Sequence, residues 1–226
     1  MFPERRSNNP FANHMNAGKA LKIYEILKKR YPDSGTALEY GRPHELLIAT
    51  ILSAQCTDAR VNEVTKKLFK KYLSVSDFAG VPQSSLEKDI RSTGFFRSKA
   101  GYIIKASAII EERFGGRVPT NMEDLLSLPG VARKTANIVL FHGFGKTEGI
   151  AVDTHVRRVS ARLGLTGSRD PVKIEKELMA LYDKKKWGHL TDVFISHGRK
   201  VCSARRPLCL ECSVRHLCSF VSKDTK

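Results

Sequence analysis

Four of the five cysteines, Cys202, Cys209, Cys212 and Cys218, crowd together with the spacing C-x6-C-x2-C-x5-C. Four thiolates so close can enclose one metal centre, and the intervening loops are too short to order themselves around a core of their own. Two disulfides would need an oxidising compartment. A structural zinc site is normally built from two tight cysteine pairs. Only Cys209 and Cys212 form such a knuckle, and the uneven spacing of Cys202 and Cys218 fits an iron–sulfur cluster better. Cys56 stands alone far upstream and reads as a small buried residue.

A second chemistry sits further back. Leu128-Pro129-Gly130-Val131-Ala132-Arg133-Lys134 reads as helix, hairpin turn and helix. Gly130 admits backbone geometry closed to other residues and leaves room for close approach. The following helix presents free N–H groups on which a phosphate can sit. Lys134 falls in its first turn, at the positive end of the helix dipole and beside Arg133. A free lysine amine is a nucleophile able to form a Schiff base with a sugar aldehyde carbon. Downstream, Ala151-Val152-Asp153-Thr154-His155 places an acid at a helix start, where it can be a cap, a catalytic carboxylate, or both.

The elements that would carry these groups are helical almost throughout. Ala17, Ala20, Leu21, Tyr24 and Leu27 form one apolar stripe, ended by Pro32 and Gly35. Leu47, Ile51 and Leu52 form a second, and Val61, Val64, Leu68 and Tyr72 a third. Ala100, Ile103, Ile104 and Ile110 make a fourth, closed by Gly115 and Gly116. Ile138 and Val139 follow the hairpin; Val156, Val159 and Leu163 precede Gly164; Ile174, Leu178 and Leu181 follow Pro171, a first-turn proline. No convincing strand alternation occurs, so the fold is expected to be all-α. Gly94-Phe-Phe-Arg97-Ser-Lys-Ala100 echoes Gly130-Val-Ala-Arg133-Lys-Thr-Ala136, each reading as a tight turn that opens a basic helix.

The 226 residues include 39 Lys and Arg against 23 acidic residues, a net charge of +16. An excess of one sign on that scale suits a polyanionic partner, nucleic acid or an acidic membrane surface. No run approaches the length of a membrane span. Met1–Asn9 is polar, without a signal-peptide core, and the first dozen residues read as a flexible arm. An intracellular location is expected, cytoplasmic and nucleoid-associated if the source is prokaryotic. Arg205, Arg206, Arg215 and Lys200 crowd the cysteine loops, where phosphate contact is expected.

On these motifs the chain resembles the endonuclease III family of helix–hairpin–helix DNA glycosylases. The likeness runs from Glu45–Asp58 through Thr93–Ala100, the hairpin and Ala151–His155 to the four clustered cysteines. It implies two helical domains with a cleft between them. Residues 36–145 would form a six-helix barrel carrying the helix–hairpin–helix; 1–35 would pack with 146–226 around a [4Fe–4S] cluster ligated by Cys202, Cys209, Cys212 and Cys218. It further implies a monomeric bifunctional glycosylase and lyase that removes oxidised pyrimidines from double-stranded DNA and nicks 3′ to the abasic site. Lys134 matches the catalytic lysine and Asp153 its partner carboxylate. Gln55 and Phe95 match positions that fill the space of a flipped nucleotide. Gly130, Ala132, Arg133 and His155 join Arg205 and Arg206 as expected DNA contacts. Ala132 stands where a second glycine is usual, Phe95 is bulkier than the expected aliphatic wedge, and the loop 144–149 is one residue longer than common. The alternatives are a mismatch thymine or uracil glycosylase, which lacks a lysine at this position, and a non-catalytic iron–sulfur DNA-binding protein.

Overall fold

The computed structural model describes residues 17–220; the expected N-terminal arm lies outside them. Among the described residues the secondary structure is helical, without strands. The α-helices are α1 (Ala17–Arg30), α2 (Pro43–Leu52), α3 (Asp58–Lys71), α4 (Val75–Gly80), α5 (Gln83–Asp89), α6 (Phe96–Phe114), α7 (Met122–Leu126), α8 (Arg133–Ile138), α9 (Thr154–Leu163), α10 (Pro171–Leu181) and α11 (Trp187–Lys200). None of the described helices is long and apolar enough to cross a membrane. The described residues divide into two compact units, one contiguous over 36–148, the other joining residues 17–35 to residues 149–220.

The contiguous unit is built around α2 and α6. In α2 every residue from Glu45 to Leu52 is buried, so this helix has no solvent face. Pro43 starts it where a missing N–H costs nothing. The Glu45 carboxylate turns back to accept the amides of Gly41 at 2.6 Å and Arg42 at 3.1 Å. Helix α3 is amphipathic, burying Val61, Val64 and Leu68, with Tyr72 following at its end. Along α6 the inward face is Ala100, Ile103, Ala106 and Ile110, with Lys99 and Ser107 on the same face. Ile104 is only partly buried. Gly115 ends α6 in the left-handed conformation, the expected glycine stop.

In the second unit α1 buries Ala20, Ile23, Tyr24 and Leu27. Leu21, expected in that stripe, is 43% exposed. Ile23 replaces it: a face through Ala20 and Tyr24 extends naturally to Ile23 and Leu27, three and four residues apart, and turns Leu21 outward. Helix α9 packs on α11, and Gly198 permits it, because a Cβ there would lie 3.0 Å from His155 Nδ1 and 3.1 Å from Arg158 Nη2. Asp170 caps α10 by accepting the amides of Val172 and Lys173, with Pro171 in the first turn. Val156, Val159, Leu163, Ile174 and Leu178 enter the core as expected, whereas Leu181 is half-buried.

Candidate active site and cysteine centre

The hairpin is α7, a turn and α8. Asn121 caps α7, its side-chain oxygen accepting the Asp124 amide at 2.9 Å. The Val131 amide donates to the Leu128 carbonyl at 3.1 Å, closing a four-residue turn with Pro129 and then Gly130 at its centre. Gly130 has φ +80°, the geometry of a type II turn, which requires glycine at that position. Buried Leu128 and Val131 anchor the turn. A Cβ on Gly130 would meet the Tyr102 Cβ at 2.8 Å and Cγ at 2.9 Å. The close approach that the glycine permits is therefore to α6 as well as to any ligand.

Ala132 is the extended residue before α8 and supplies no side-chain cap. Arg133 and Lys134 follow as the first two residues of that helix, with Lys134 exposed and Ala136 and Asn137 buried behind it. The helix runs on into a π-helical turn, Val139–Gly143, which the apolar spacing does not disclose. The loop after it is tethered: Lys146 Nζ donates to the Thr120 carbonyl at 3.0 Å and hydroxyl at 2.8 Å.

In the other unit, Asp153 is the N-cap of α9. Two buried groups fix the approach to it. The Ile150 amide donates to the Glu175 carboxylate at 3.2 Å, and the Ala151 amide donates to the Thr191 hydroxyl at 3.1 Å. Asp153 Oδ1 accepts the Val156 amide at 2.7 Å. His155 is half-buried against Gly198, with Arg158 Nη2 at 3.1 Å from its Nδ1. Burial holds the His155 ring below the usual imidazole range, partly offset by the Asp153 carboxylate.

Gln55 and Phe95 share an unusual property. Among the described residues they are the two non-glycine positions with positive φ, at 53° and 48°. Both are exposed, Phe95 by 63%. Lys99, not singled out from the sequence, is 3% exposed and ties the two corners together. Its Nζ donates to the Leu52 carbonyl at 2.7 Å and the Thr93 carbonyl at 2.8 Å. A signal was present: Lys99 lies four residues before Ile103, on the apolar face of α6.

Cys202, Cys209, Cys212 and Cys218 carry free, half-buried thiols and line one recess with Leu163, His197 and Phe220. Two sulfurs have N–H neighbours, Arg162 Nη1 at 3.4 Å from Cys202 and the Phe220 amide at 3.4 Å from Cys218, and the Cys212 sulfur lies 3.6 Å from His197 Nε2. Burial pushes the Cys212 and Cys218 thiols up, and the neighbouring cysteines add to the effect. Among the described residues, no three His, Cys, Asp or Glu converge as ligands of a single ion. Arg162 also donates to the Ser203 carbonyl at 2.6 Å and the Ala204 carbonyl at 2.9 Å, bracing the loop from which exposed Arg205 and Arg206 project. Cys56 is half-buried rather than buried, packed against the core of the contiguous unit, because it lies in the turn beyond α2.

Residues 48–184 match the family described as HhH-GPD superfamily base excision DNA repair protein. The chain is 53% identical over 200 residues to endonuclease III of Synechocystis sp., covering 88% of this chain and 91% of that protein. It is 47% identical to endonuclease III of Bacillus subtilis, covering 87% and 90%. A solved structure of a trapped endonuclease III–DNA covalent intermediate superposes with a TM-score of 0.86 at 44% identity, over 91% of this chain and 96% of that one.

Proposed function

The chain belongs to the endonuclease III family of HhH-GPD base excision DNA repair proteins, and from that membership we propose that it excises oxidised pyrimidines and cleaves the resulting abasic strand, with Lys134 as nucleophile and Asp153 as its electrostatic partner. The observation that carries the reading is the exposed Lys134 amine, placed directly after the hairpin turn at the start of α8. A similar fold has been captured in covalent attachment to DNA, which calls for a nucleophile of this kind.

The chemistry follows from the groups. The Lys134 amine donates its lone pair to the sugar C1′ while the C1′–N bond breaks and its electron pair leaves with the base. The Asp153 carboxylate opposes the positive charge that develops on the sugar. With one oxygen held by the Val156 amide, it needs no reorganisation as that charge appears. Opening of the sugar ring leaves a Schiff base between Lys134 and C1′. Loss of a C2′ proton then expels the 3′ phosphate oxygen, and water releases the amine. Gln55 and Phe95, exposed on their corners, fill the space left by the extruded nucleotide. Arg205 and Arg206 contact phosphate.

Four half-buried thiols around one recess, with N–H groups directed at the sulfurs of Cys202 and Cys218, fit a [4Fe–4S] cluster, which Cys202, Cys209, Cys212 and Cys218 would hold. Such a cluster supplies a cationic centre that offsets four crowded thiolates and fixes the order of the basic loops. Borohydride trapping on duplex DNA carrying an oxidised pyrimidine tests the reaction. The expected result is a covalent protein–DNA adduct together with base release; base release without an adduct would leave a monofunctional glycosylase.

A further inference from the structure

Gln55 and Phe95 hold left-handed backbone conformations that side chains with a Cβ rarely adopt. Such conformations persist only where the surroundings over-determine them. Both residues are exposed, so their own side chains have little packing with which to hold the corners. The restraint comes from behind. Leu52 is the last residue of α2, so its carbonyl has no partner within that helix. Thr93 is two residues before Phe95. One ammonium, buried on the apolar face of α6, donates to both carbonyls.

Burying an ammonium is costly, and a core needs none. A lysine earns this place only through two short charge-assisted hydrogen bonds to segments 41 residues apart in the sequence. Its charge is not matched by a carboxylate here: burial lowers the lysine pKa, and the nearby Cys56 thiol is the group that opposes the shift. The ammonium is thus a fixed pin between two backbone segments.

We propose that Lys99 is a positioning residue that sets the Gln55 and Phe95 corners at one fixed separation, so that their side chains act together when a paired nucleotide is drawn out of the duplex. The proposal rests on the reading of the chain as a glycosylase that extrudes its target. It concerns the opening of a base pair, and not the bond-breaking at C1′.

The test compares two duplexes. One carries thymine glycol opposite adenine; the other carries the same lesion opposite a stable abasic analogue, where no pair has to be broken. Single-turnover excision by Lys99→Met should fall by about ten- to a hundredfold on the paired substrate, the scale of a small misplacement. The unpaired substrate should be affected far less. Adding Lys99→Met to a Gln55→Ala, Phe95→Ala double variant should produce little further loss on the paired substrate, because the pinned side chains are already gone. Equal slowing on both substrates, or a loss that adds fully to the double variant, would overturn the proposal. Lys99→Gln, which keeps N–H donors one bond shorter, carries the same comparison at an intermediate level if Lys99→Met folds poorly. Failure of both to fold would also overturn it, since Lys99 would then determine the fold. Failure of the underlying reading looks different: wild-type protein would release no base from either duplex.

Discussion

Asp153 Oδ1 and the Val156 amide lie 2.7 Å apart, so the acid assigned to catalysis also begins α9. Asparagine retains a capping oxygen but not the negative charge. Asp153→Asn should keep its thermal midpoint and release base about a hundred- to a thousandfold more slowly. It should still be trapped on DNA that is already abasic. Asp153→Ala should add a stability loss of about 1 kcal/mol from the missing cap. Comparing the two variants by thermal denaturation and single-turnover excision separates cap from charge.

Lys134→Gln removes the amine from an exposed position. Stability should change by no more than about 0.5 kcal/mol, as at an ordinary surface site. Borohydride trapping should vanish on both damaged and abasic duplexes. Crosslinking at the wild-type level would identify another amine as the nucleophile.

Gly130→Ala meets two obstacles, a φ of +80° and a Tyr102 Cβ only 2.8 Å from the new methyl group. The hairpin must shift, and a loss of more than about 1 kcal/mol is expected. Tyr102→Ala should not rescue it, because the nearest atom is retained in alanine. Tyr102→Gly should relieve the contact while leaving the backbone strain. Urea denaturation of the three combinations checks this order.

Protein purified without exposure to oxygen should carry about four iron per chain and the brown colour of a cubane cluster. Cys212→Ser should lose iron and solubility together. Cys56→Ser should keep both, because Cys56 packs against the core of the contiguous unit. Stoichiometric zinc without iron would refute the cluster.

Arg205 and Arg206 project from a loop whose backbone Arg162 holds. Replacing both by alanine should weaken every duplex alike and flatten the dependence of log affinity on log salt by about one unit per lost contact. A salt slope equal to wild type would mean that this loop takes no part in binding.

Amphipathic elements were the legible ones. Helix α3 shows its buried residues in the sequence because its other face is charged. Helix α2 is buried all round, so its apolar run marks a helix without marking a face. In α1 two overlapping stripes compete, and packing selects Ile23 over Leu21. The cysteine recess was legible from spacing, since short loops leave few places for four thiols. The spacing put Lys99 on the apolar face of α6, but its role was not legible, because its two acceptors are backbone carbonyls without a side-chain signature. Nor does a composition of ordinary residues disclose that Gln55 and Phe95 stand in left-handed corners.

The division of the chain also sets an order of events during synthesis. The unit over 36–148 is contiguous and can close as soon as it leaves the ribosome. Helix α1 emerges before it, yet the Tyr24 hydroxyl meets His189, 165 residues later. Ile23 and Leu27 therefore wait, apolar and uncovered, until α10 and α11 are made. The apolar stripe of this lysine-rich segment has no partner from its own unit through most of translation. The second unit can assemble only after its two segments, made at different times, have met.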